Sequence, residues 1–118
     1  MRLLSMQAPL VRLTLAAVLV VIQGAALAAS AEKGKVAYVK HGCWQCHGYL
    51  GQGGITGPKL APNPMPLEAL SAFLRHTNGA MPPYQEAVLS NGDLADINAY
   101  LQTIPKPADY RSIPLLSQ

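Results

Sequence analysis

The stretch Cys43-Trp44-Gln45-Cys46-His47 constrains this chain more than any other. It uses the only two cysteines among 118 residues and follows them at once with a histidine. The C-x-x-C-H pattern reads as a c-type haem attachment site, and the spacing has a physical reason. On a helical turn, positions 43, 46 and 47 stand at i, i+3 and i+4, so the three side chains share one face. Each thiol there can form a thioether with one haem vinyl group, and the imidazole beside them can bind the iron from the same side. Two other readings of a C-x-x-C pair fail on context. A thioredoxin-like redox pair belongs in a βαβ unit, and no such pattern is visible. A zinc site takes four ligands, and there is no second cysteine pair.

The first residues stand apart from the fold. Arg2 and Arg12 give a positive region, Leu13 to Ile22 is almost unbroken apolar, and Ala26-Leu27-Ala28 offers a small-residue cleavage site. This is the pattern of a secretory signal peptide over residues 1–28, cut after Ala28. The alternative is an uncut membrane anchor: Leu13 to Ala31 is nearly long enough to span, although Gln23 and Gly24 interrupt it. Export fits covalent haem attachment, which belongs outside the cytoplasmic membrane, and places the chain in the periplasm. Both cysteines are used by the motif, so no structural disulfide is expected despite an oxidising compartment.

The expected organisation is a signal over 1–28, a haem domain over 29–105 and an extended tail over 106–118. A domain this small buries too little apolar surface to be comfortable without a staple, and the haem is that staple. Two of the nine basic residues lie in the signal, which leaves seven against six acidic ones and a net charge of +1. That balance argues against nucleic acid or an anionic membrane surface as a partner.

Ser30 is an N-cap candidate, with Glu32 in the first turn of a helix that runs to Val39 or Lys40. Gly34 inside it costs about 1 kcal/mol against Ala, and a close crossing with another helix would explain it; Tyr38 follows one turn later. The glycine-rich span from Gly48 to Gly57 excludes a regular element. Pro66 suits the first position of a helix whose apolar stripe is Leu67, Leu70, Phe73 and Leu74, ended by Thr77-Asn78-Gly79. Ser90, with Asp93 three residues on, caps a helix from Gly92 to Thr103. Its apolar face holds Leu94, Ile97, Leu101 and Ile104, with Tyr100 beside them, and Pro105 stops it. This last helix is the natural partner for Gly34.

An iron-bound histidine commonly donates its other ring N–H to a backbone carbonyl. Pro58, with a carbonyl and no N–H, is the candidate acceptor for His47. On the other side of the iron, Met81 lies in Gly79-Ala80-Met81-Pro82-Pro83-Tyr84, a loop with few backbone options. It is the preferred second axial ligand, ahead of Met65 and His76. His41 would crowd the proximal side and is expected to be solvated, and His76 is expected near its helix C-terminus.

From Lys33 to Ile104 the residues resemble the small monohaem class I cytochromes c. Gly34 and Tyr38 look like that family's Gly–aromatic pair, Cys43, Cys46 and His47 match its haem motif, and Gly57-Pro58-Lys59-Leu60 looks like its G-P-x-L segment. Ala80 to Tyr84 resembles the axial-Met loop, and Asp96 to Leu101 the C-terminal helix motif. The resemblance implies an all-α cytochrome c fold, with three to four helices wrapped around one covalent haem c and the terminal helices crossing. It also implies haem contacts from Cys43, Cys46, His47, Pro58, Leu60 and Met81, with His47 and Met81 on the iron. The ring of lysines that some members use for docking is not evident here.

With both axial positions filled, the reading is a periplasmic electron carrier rather than an enzyme. Its partners are redox proteins: a dehydrogenase, reductase or oxidase. One alternative is a dedicated cytochrome subunit of a periplasmic dehydrogenase or oxidase complex, for which the apolar tail residues Ile113, Leu115 and Leu116 are suited. The other is a haem enzyme or gas sensor with Met81 off the iron.

Overall fold

The structure is a computed structural model that describes residues 28–117. The signal-peptide reading, and the anchor reading against it, fall almost wholly on residues 1–27 and lie outside the described residues. The described residues form four α-helices and no strand: α1 Ala31–Lys40, α2 Cys43–His47, α3 Leu67–Arg75 and α4 Asn91–Thr103, followed by a 3-10 turn at Tyr110–Ser112. This is the all-α architecture expected.

Both long helices start where the caps indicate. The Ser30 hydroxyl accepts from Lys33 N at 3.3 Å, and the Ser90 hydroxyl accepts from Asp93 N at 3.0 Å. Each satisfies a backbone donor that the helix itself leaves open. α1 and α4 then cross at Gly34, which is buried; a Cβ built there would lie inside the backbone of Asp96 and 2.9 Å from Ile97 N. No side chain fits between the two backbones, and this explains a glycine in the middle of a helix. Asp96 closes the same crossing with its side chain, which accepts from Ser30 N at 2.6 Å.

The core follows from that crossing. α1 contributes Ala37 and Tyr38, α4 contributes Leu94, Ile97, Tyr100 and Leu101, and Ala61, Leu74 and Leu89 complete it. The stripe expected on α3 is narrower than its spacing implied. Leu74 is buried and Leu67 and Leu70 pack at the core edge, but Phe73 is 51% exposed. Phe73 stands about 100° around the helix from Leu74, and a nine-residue helix packed along one edge of α4 does not cover so wide an arc.

The tail also departs from the extended run expected. The Asp109 side chain accepts from Arg111 N at 3.0 Å and nucleates a 3-10 turn, as a side-chain-capped turn does. The tail is not strapped to the body: Leu115 and Leu116 are 83% and 60% exposed.

Candidate haem site

α2 is only five residues long, yet it carries Cys43, Cys46 and His47 in one turn. Cys46 is exposed, while Cys43 is half-buried against the core, where burial pushes its thiol up to about 11. Neither cysteine is in a disulfide. His47 is buried, and its Nδ1 lies 2.7 Å from the Pro58 carbonyl. A carbonyl only accepts, so Nδ1 carries the proton and donates. The lone pair is thereby left on Nε2, the nitrogen free to bind a metal.

The segment that brings Pro58 to the imidazole has no room to spare. A Cβ on Gly57 would lie 2.7 Å from the Cys46 carbonyl and 2.9 Å from His47 Nδ1. Gly57 is buried, and its missing side chain is what lets residues 57–58 approach α2. Gly53 N donates to the His47 carbonyl at 2.8 Å, and Leu60 N donates to the Gly51 carbonyl at 2.8 Å. The glycine-rich span is thus pinned to the haem motif at its start and to the core, through half-buried Leu60, at its end.

Three tyrosines from three elements hold the flanks of the motif. Tyr38 on α1 donates to the Gly48 carbonyl at 2.9 Å. Tyr100 on α4 donates to the Tyr49 carbonyl at 2.8 Å, and Tyr84 after the Met81 loop donates to the His41 carbonyl at 3.0 Å. Burial raises all three phenols above the ordinary tyrosine value. Sequence reasoning placed these residues but missed what their hydroxyls do. Their partners are 10, 51 and 43 residues away in the chain, beyond the reach of any local pattern.

Met81 is half-buried against the core, and its carbonyl accepts from the Thr77 hydroxyl at 2.9 Å. Met65 is 45% exposed, and its carbonyl accepts from Asn98 Nδ2 at 2.8 Å. His76 is the exposed C-cap of α3, as expected. His41 is not the solvated residue expected. Its side chain is 7% exposed, with Nε2 3.6 Å from Asp93 Oδ2 and without a hydrogen-bond partner. As the C-cap of α1, it is turned toward the start of the crossing helix α4.

Beside the motif, Trp44 stacks on Tyr49 with ring centroids 4.5 Å apart and planes 12° from parallel. Tyr49, Leu50 and Ile55, in the stretch that follows it, are exposed apolar side chains. Among the described residues, no three His, Cys, Asp or Glu side chains gather as a metal-ion site. Two thiols and one imidazole with a free Nε2, presented from one turn, are the donor set that a covalently held haem requires. Among the described residues, no helix is long and apolar enough to cross a membrane.

No curated protein and no solved structure gives a significant match to the chain. Residues 29–101, more than half of the 118, match the family described as cytochrome C oxidase, cbb3-type, subunit III. That span takes in α1, the haem motif, the Met81 loop and α4 as far as Leu101, and the chain belongs to this family of c-type cytochromes.

Proposed function

We propose that the chain is an exported one-electron carrier of the periplasm, holding one haem c through Cys43 and Cys46 and ligating it with His47 and Met81. Membership of a c-type cytochrome family carries the coarse part, covalent haem and electron transfer. The finer assignment rests above all on the His47 ring, fixed by the Pro58 carbonyl on the same short helix as both thiols. When bound, the haem supplies an iron that changes by one electron between two oxidation states.

The chain's own residues set how that happens. The two cysteines prevent dissociation. The Pro58 carbonyl fixes the imidazole's tautomer and orientation and makes Nε2 a better donor. The soft thioether of Met81 favours the reduced state and raises the potential. His47 and Met81 would hold the iron together, and a haem so held would have no position for dioxygen or substrate, which is the case against an enzyme or gas sensor. The exposed Tyr49, Leu50 and Ile55, with Trp44 stacked on Tyr49, would supply apolar surface for brief docking with redox proteins on a domain whose residues 29–118 carry a net charge of +1.

The test is ligand access in the haem-loaded protein. Met81→Ala is expected to let imidazole or cyanide bind the ferric iron readily, and Met65→Ala is not. Rapid, tight cyanide binding to the unaltered protein would instead establish an open iron site. A second reading, a resident subunit of an oxidase or dehydrogenase complex, is favoured by the exposed Leu115 and Leu116, which lie beyond the residues that match the family. Gel filtration of native extract decides: elution with a large complex supports the subunit, and elution at the size of the chain supports the free carrier.

A further inference from the structure

The loop that carries Met81 is almost free of backbone hydrogen bonds. Between His76 N, which donates to the Phe73 carbonyl, and Tyr84 N, which donates to the Leu74 carbonyl at 2.8 Å, no main-chain pair forms among the described residues. Inside the loop, the Thr77 hydroxyl holds the Met81 carbonyl from upstream. Downstream, Met81 is joined to Tyr84 through Pro82 and Pro83, whose rings fix φ and make the link stiff. Where Tyr84 is held therefore decides where Met81 can go.

Tyr84 is held on three sides. Its N–H bonds to the end of α3 at Leu74. Its carbonyl accepts from Arg75 Nη1 at 2.7 Å, while Arg75 Nη2 reaches Asn91 Oδ1 at 2.8 Å at the start of α4. Its hydroxyl donates to the His41 carbonyl, two residues before Cys43. Among the described residues, this last bond is the one side-chain hydrogen bond that joins the Met81 loop to the segment leading into the haem motif.

On the reading that Met81 is the axial ligand, we propose that Tyr84 is its positioning residue. By tying the loop to the His41 carbonyl, Tyr84 keeps Met81 in register with the motif that holds the opposite ligand. Arg75 supports it by holding the Tyr84 backbone. Tyr100 makes a bond of the same kind on the other flank of the motif, to Tyr49, but has no link to the loop. It is the matched control.

The experiment uses the haem-loaded protein and its Tyr84→Phe, Arg75→Gln and Tyr100→Phe variants. It reads imidazole affinity of the ferric form, the weak far-red sulfur-to-iron absorption band and thermal stability. A lost hydrogen bond of ordinary strength that restrains the loop is worth about tenfold in the balance between held and released Met81. Y84F is thus expected to bind imidazole about tenfold more tightly and to lose the band at lower imidazole concentration. R75Q is expected to move the same way should Y84F fail to accumulate, and Y100F to lower stability with imidazole affinity unchanged. Unchanged affinity in both Y84F and R75Q, or an equal change in Y100F, overturns the positioning role while leaving Met81 as ligand. Absence of the band from the unaltered protein overturns the ligand assignment and this role with it.

Discussion

Gly34 and Gly57 do the same work by different routes, each letting backbone come close where a methyl group would collide. Gly34→Ala has to part α1 from α4, and main chain does not yield as a flexible side chain would. A loss of about 1–3 kcal/mol, the usual range for overpacking, is expected in thermal or denaturant unfolding. Pro58→Ala, by contrast, keeps the carbonyl that His47 uses and should leave the absorption spectrum nearly unchanged; loss of the normal spectrum would show that the proline ring itself sets the imidazole. The tyrosines give a pH dependence. Burial raises the phenols of Tyr38, Tyr84 and Tyr100, so the folded chain holds these protons more tightly than the unfolded one. Their contribution is full below the unfolded tyrosine value of about 10 and is lost as pH rises above it. Unfolding followed from pH 8 upward should show a level stability that begins to fall near pH 10; a decline starting well below that would mean other groups govern it. Gly34 was legible because a glycine costs something in a helix and so demands a reason. The tyrosine hydroxyls were not, because their partners are main-chain carbonyls brought near only by the finished fold.

At the scale of elements, the ends of helices were more readable than their faces. Ser30 and Ser90 are short-range signals: a hydroxyl and a donor three residues on, found at 3.3 and 3.0 Å. Ser90→Ala is expected to cost about 1 kcal/mol in chemical unfolding, with helix content unchanged in the folded state. A larger loss would mean that the start of α4 also anchors the neighbouring Asn91–Arg75 bond. Phe73 and Leu89 mark the limit. Phe73 shares the spacing of an apolar stripe and is exposed, whereas Leu89 belongs to no stripe and is 1% exposed. Spacing tells which residues share a face, not which neighbour covers it. His41 fails for the same reason: its burial depends on where α4 begins in space, and nothing in the local sequence carries that.

At the scale of the molecule, the fully buried side chains among the described residues are few: Tyr38, Leu89 and Leu94 are the largest. A core this small is thin support for a domain of this length. Protein prepared without haem is therefore expected to lose most of its helical circular dichroism, and native-like helicity would show that the crossing of α1 and α4 is enough alone. Residues 29–118 carry seven basic against six acidic side chains, and this near balance predicts that electron exchange with a partner changes little with added salt; a steep fall in rate would reveal a charged docking face. The partner of His47 has a wider consequence. A peptide oxygen, unlike a carboxylate, has no proton to take up or release in ordinary conditions, so the group that fixes the imidazole keeps one ionisation as acidity changes. The hold on the imidazole is therefore expected to stay the same over the whole range of acidity in which the chain stays folded.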